Sequence, residues 1–162
     1  MLGVPELSSR LIVVVLASCG LVASFMQTLV LPLIPAFPHL LGASPADASW
    51  VVTATLLAAS VVTPVSGRLG DLYGKRRMVL VSLGLLILGS AVSALTSSLA
   101  LMVAGRALQG AAMGVIPLGI SIMRDELPAE RIGSAISLMS ATLGVGGAIG
   151  LPVAAIVAQH AD

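Results

Sequence analysis

Charge, aromatic rings and cysteine are all scarce in this chain. Of its 162 residues only eight are basic and seven acidic. Soluble domains carry roughly a quarter charged residues, so so few cannot cover a water-facing surface. With 57% apolar residues and a mean hydropathy of +1.10, the scarcity excludes a soluble enzyme, a disordered chain and a nucleic-acid binder. A net charge of +1, with the basic residues few and clustered, gives no nucleic-acid partner either. The single cysteine, Cys19, excludes an internal disulfide and a thiolate metal cluster. Phe25, Phe37, Trp50 and Tyr73 are the whole aromatic complement. An all-α integral membrane protein fits this composition, with the lipid bilayer as its first partner.

The charged residues divide the chain into apolar stretches of spanning size. A helix needs about 20 apolar residues to cross roughly 30 Å of hydrocarbon. Residues 11–37, 48–67, 78–105 and 132–161 carry no charge. The third stretch is too long for one helix and holds Thr96-Ser97-Ser98, a polar break suited to a tight hairpin. Five spans follow, over 10–34, 49–68, 77–96, 99–123 and 132–158.

Local signals support several of these ends. Ser44-Pro45-Ala46-Asp47 places a cap, a proline at the first helical position and an acid three residues after the cap. Trp50 follows as an interfacial aromatic. Pro128 before Ala129-Glu130 opens the fifth span, and Pro32 and Pro35 bend or end the first. Leu16-Ala17-Ser18-Cys19 has the look of a lipoprotein cleavage box. The apolar segment before it is only about six residues, short of a signal core, and apolar sequence continues beyond it.

Orientation is read from lysine and arginine. Arg10, Arg68, Lys75, Arg76, Arg77, Arg124 and Arg131 all fall on one side of this five-span arrangement, and the connections on the other side hold none. By the positive-inside rule, residues 1–9 lie in the cytoplasm and the far end of the fifth span lies outside.

Three motifs stand out from generic membrane composition. The first is Gly67-Arg68-Leu69-Gly70-Asp71-Leu72-Tyr73-Gly74-Lys75-Arg76-Arg77. It resembles motif A of the major facilitator superfamily, G-x-L-a-D-r-x-G-r-k-r, between helices two and three. In that setting Gly67 and Gly74 are expected to let the chain turn tightly, and Asp71 to sit at the positive end of a neighbouring helix. Lys75, Arg76 and Arg77 open the third helix, where the dipole disfavours each cation by a few tenths of a kcal/mol or more. Cations kept at that end point to topology or gating rather than local stability.

The second motif centres on Arg106 inside the fourth span. Leu101 to Gly114 resembles motif B of the superfamily, l-x-x-x-x-R-x-x-q-G-x-g-a-a. An arginine at this depth costs at least about 2.5–3.5 kcal/mol and is expected to face the bundle interior or a wet cavity. Gln109 and Met113 follow at i+3 and i+7 on the same face. Gly110 and Gly114 form a small-xxx-small pair for close helix packing. The resemblance implies a place for Arg106 on the substrate path.

The third is the glycine-rich fifth span, with Gly144, Gly146, Gly147, Gly150 and then Pro152. It resembles motif C, G-x-x-x-G-P-x-x-G-G, with the proline one place late and alanines for the paired glycines. Gly146, Gly150 and Pro152 are expected on a packing face. In the first span, Phe25 to Pro35 resembles the l-D-x-T-I-V-N-v-A-L-P signature of the 14-helix drug:proton antiporter branch. Met26 stands at the aspartate position and Leu31 at the asparagine position. Gln27 and Thr28 supply polar groups there instead.

All seven acids (Glu6, Asp47, Asp71, Asp125, Glu126, Glu130 and Asp162) fall outside the spans, so a proton-coupling carboxylate has to come from elsewhere. The charged stretch Arg124–Arg131 reads as a solvated inner loop. His39 and His160 share no spacing that suggests a metal site.

The resemblance implies a two-half transporter of which this sequence supplies the N-terminal portion. Residues 10–96 make one three-helix repeat and 97–162 an incomplete second one, most of one six-helix half. The implied activity is secondary transport of a small molecule across the cytoplasmic membrane by alternating access, without metal or organic cofactor. Similarity to the drug-efflux branch points to export, with Arg106, Gln109, Met113, Gln27 and Met26 on the substrate path. Gly67, Asp71, Gly74, Lys75, Arg76 and Arg77 form the gate. A second half is the required partner. Two other readings remain open: a metabolite importer of the same superfamily, and a five-helix scaffold or regulator that pairs with another chain. An enzyme is not expected, because no nucleophile–base pair is visible.

Overall fold

Among the described residues the long elements are all helices, because their apolar runs lack strand alternation, and α-helical order persists through Pro64 and Pro152. The computed structural model describes residues 6–159. His160 and Asp162 lie outside the described residues, as do residues 1–5 of the N-terminal segment. Helix α1 covers Glu6–Thr28, earlier in its ending than the 34 expected. Pro32 and Pro35 then force a 3-10 turn over Leu31–Ala36, since neither can donate to an α-helical ladder. Short helices α2 (Phe37–Leu40) and α3 (Pro45–Ala48) lead into α4, Trp50–Tyr73. Ser44 caps α3 as expected, its hydroxyl oxygen accepting from the Asp47 N–H at 3.1 Å.

Helix α5 spans Lys75–Leu95 and α6 spans Leu99–Ala111. Between them Thr96 ties the hairpin, its hydroxyl accepting from the Ser98 N–H at 3.0 Å. A 3-10 turn over Ala112–Gly114 separates α6 from α7, Val115–Glu126. Helix α8 runs from Ala129 to Gln159, directly after Pro128. Five segments, Ser9–Leu40, Pro45–Tyr73, Lys75–Leu95, Leu99–Glu126 and Ala129–Val157, are long and apolar enough to span a membrane.

Packing pairs α1 with α8 and α4 with α6, while α5 lies against α6 and α7. Glycines set both principal pairings. A Cβ on Gly146 would lie 2.6 Å from the Leu21 carbonyl oxygen, and one on Gly150 only 3.0 Å from Thr28 Cβ. On the other pair, a Cβ on Gly110 would overlap the Thr55 carbonyl, and one on Gly114 would lie 2.8 Å from Ser66 Cβ. In hydrocarbon no hydrophobic drive joins helices, so such backbone approach supplies the van der Waals contact that does. Pro152 does not share this role: it is exposed on α8, two residues past Gly150 and so on the opposite face.

Two apolar clusters fill the bundle. One gathers Leu118, Met123, Met139 and Val115 near the basic end, and the other gathers Phe37, Ala48 and Val51 near the opposite end. The outer surface is itself apolar, with Leu80, Ile87, Leu95 and Ile156 exposed. That distribution suits a surface solvated by lipid.

Candidate functional site

Motif A is not the loop that its glycines suggest. Helix α4 continues through Arg68, Gly70 and Asp71 to Tyr73, and the whole connection to α5 is Gly74. Gly74 has φ +93°, a region that side-chain-bearing residues rarely adopt. Gly67 makes no turn: it lies inside α4, and a Cβ added there would meet nothing within 4 Å. One glycine suffices because Gly74 is the one position of the motif with a positive φ.

The tight turn brings three charges together at the basic end. Lys75 Nζ lies 3.9 Å from Asp71 Oδ1, one turn back across Gly74, and pairs with Asp125 Oδ2 at the end of α7. Arg76 pairs with Glu126 at 3.3 Å. Asp125 and Glu126 are therefore not a freely solvated loop; they end α7 and hold the start of α5. Asp71 keeps most of its surface open, at 71% exposure. An open depression of about 560 Å³ lies over Asp71, Gly74, Lys75, Arg77 and Asp125.

The second site lies inside the bundle. Arg106 is 3% exposed and does not reach out to the membrane surface. Along the fourth span it falls with Gln109 between Val103, packed on one apolar cluster, and Met113, packed on the other. Its Nη1 donates to Gln109 Oε1 at 2.5 Å and its Nη2 to Gln27 Oε1 at 3.3 Å. Nε donates to the Val51 carbonyl at 3.4 Å. Gln109 in turn donates to Ser90 Oγ at 3.0 Å. The network thus ties α1, α4, α5 and α6 through one buried cation, and every partner is neutral.

Beside Arg106 opens a cavity of about 300 Å³, walled by Gln27, Thr28, Val52, Thr55 and Leu56. Arg106, Gln109 and Gln27 come together as the sequence suggested. Met113 does not join them: seven residues on from Arg106, about two turns along the span, it packs against the apolar cluster of Leu118 and Met123. Met26 is half-buried on α1 but does not line this cavity. Ser90 and the Val51 carbonyl carried no readable signal, because a serine in a span and a main-chain oxygen look like any other.

The family model of the Major Facilitator Superfamily matches residues 16–162. The chain belongs to the major facilitator superfamily. An uncharacterized MFS-type transporter of Mycobacterium tuberculosis is 36% identical over 126 residues, 77% of this chain and 18% of that protein. The multidrug export protein EmrB of Haemophilus influenzae is 34% identical over 128 residues, 76% of this chain and 25% of its own length. The tetracenomycin C resistance and export protein of Streptomyces glaucescens is 32% identical over 127 residues, covering 78% and 24%. The chain therefore spans about a quarter or less of the length of these curated relatives. Within this superfamily it is a multi-pass membrane protein of the transporter type, similar to its drug exporters.

Proposed function

We propose that the chain works as part of one half of a drug-type exporter, moving a small organic molecule across the membrane by alternating access. The observation that carries this reading is the Arg106–Gln27–Gln109 network beside a cavity in mid-span, where a buried cation is otherwise costly. The names of the similar export proteins support the outward direction. Substrate sites in two-half transporters lie near the bilayer midplane between the halves. Arg106, Gln109 and Gln27 then contribute this half's share of the path, and a second half closes the other side.

The Lys75–Asp125 and Arg76–Glu126 pairs support a gate at the basic end. They fasten α5 to α7, so α4, α5 and α7 move as one body when the halves rock. Exposed Asp71 is the group left to meet a partner helix. The basic end faces the cytoplasm by the positive-inside rule, which puts the N-terminus inside. No acid of this sequence lies in the middle of a span, so any proton-coupling carboxylate comes from elsewhere.

The test is accumulation of fluorescent aromatic drugs in cells lacking their own exporters, with this chain supplied together with its second half. Lower accumulation than in cells with empty vector is expected for at least one drug in a panel of anions, neutral molecules and cations. Unchanged accumulation across the whole panel, with the protein present in the membrane, overturns export.

A further inference from the structure

The charge arithmetic around Arg106 says what kind of molecule this half prefers. Guanidinium is always protonated and carries five N–H donors. Three are engaged, by Val51, Gln109 and Gln27, leaving one on each terminal nitrogen. Among the described residues, none of the ion pairs includes Arg106. Asp47, Asp71, Asp125, Glu126 and Glu130 all sit in the last or first turns of their helices or in α3, none at mid-span. Among the described residues the cation is thus buried among neutral partners, with no carboxylate paired to it.

The cavity wall is almost wholly apolar and brings no charge to balance Arg106. Thr28 and Thr55 donate their hydroxyl protons to carbonyls of their own helices, those of Phe25 and Val51. Gln27 turns its oxygen to Arg106, so its amide NH2 remains as a donor. Val52 and Leu56 supply apolar wall. In a low-dielectric site an unbalanced positive charge attracts an anion and repels a cation strongly.

We propose that this cavity selects lipophilic organic acids, a carboxylate or phenolate on an apolar body, and rejects organic cations. The acid group bonds to the two remaining Arg106 N–H groups, and the apolar body lies on Val52 and Leu56. The inference rests on the transporter reading, whose failure is separable from its own by measuring binding beside transport.

The experiment uses three forms of one anthraquinone dye: a carboxylate, its neutral amide and a quaternary ammonium derivative. Binding is read by fluorescence anisotropy, and uptake is read in proteoliposomes, both with the protein carrying its second half. The carboxylate is expected to bind at least 10-fold tighter than the ammonium form. Gln27→Glu keeps Arg106 and its contact but cancels the charge, and should cut that preference at least 5-fold. Arg106→Gln should abolish it. The wild-type ranking decides even if Arg106→Gln fails to fold. Equal or tighter binding of the ammonium dye overturns the proposal, as does a preference untouched by Gln27→Glu. Carboxylate binding without uptake of any dye leaves this proposal standing and overturns the transport reading.

Discussion

Lys75, the first residue of α5, reaches fifty positions along the chain to pair with Asp125 at the end of α7. The contact is possible because the connection before Lys75 is one residue long, which leaves its side chain beside the end of α7 rather than in a flexible loop. It also explains why a lysine is retained at a helix N-terminus, where the dipole opposes it: two carboxylates, Asp71 and Asp125, offset that cost.

The pair is half exposed, so its part in stability is small. A double-mutant cycle with Lys75→Ala and Asp125→Ala should give a coupling of about 0.5–1 kcal/mol, shrinking at high salt. Transport should respond more, because the pair fastens the moving body. Each single variant is expected to lose uptake several-fold, and the exchange Lys75→Asp with Asp125→Lys should restore at least half of it. Singles with unaltered uptake would remove the pair from the gate.

The glycines separate into those that packing requires and those it does not. Gly110→Ala places a methyl group against the Thr55 carbonyl of α4 and should cost about 1–3 kcal/mol by forcing α4 and α6 apart. Gly67→Ala adds its methyl where nothing lies within 4 Å and should be neutral or stabilise by up to about 1 kcal/mol, as alanine does in a helix interior. Thermal unfolding in detergent distinguishes them. Equal losses would mean that Gly67 is also in contact, with a surface outside this half.

Much of this was legible in the sequence, because charge cannot enter hydrocarbon. The gaps between charges marked five spans, and the polar hairpin at Thr96–Ser98 split the long run correctly. The partnership of Arg106 with Gln109 followed from i+3 spacing alone. Three things were not legible. Glycine does not announce whether it turns or packs, so Gly67 read as a turn residue inside what is continuous helix. Met113 shares a face with Arg106 but lies two turns along the span, beside the apolar cluster rather than the cavity, and periodicity carries no information about that. Asp125 and Glu126 looked solvated because their partners lie fifty residues away, a distance that no local pattern covers.

Orientation has a direct readout. In a Cys19→Ser background, Ser97→Cys in the α5–α6 hairpin should react with a membrane-impermeant maleimide added to whole cells, and Arg77→Cys should not. After permeabilisation both should react. Labelling of Arg77→Cys in intact cells would place the basic end outside and reverse the proposed topology.

The buried network yields a sharper test of what Arg106 needs. Gln109→Leu removes the acceptor at 2.5 Å and leaves a guanidinium N–H buried without a partner. A hydrogen bond to a charged group contributes about 1.5–3 kcal/mol, and the loss should be of that size. It also strips Ser90 of its donor, a smaller effect. Adding Arg106→Met to the same chain replaces the stranded cation with an apolar side chain of similar length. The double variant should then recover at least half of the stability lost, since a buried charge without its partner is worse than no charge. Such a chain would be folded and inactive toward the carboxylated dye, which ties the arginine to ligand rather than to stability. Additive losses in the double variant would mean the reverse, that Arg106 holds the helices together through Gln27 and Val51 and that its partners are structural.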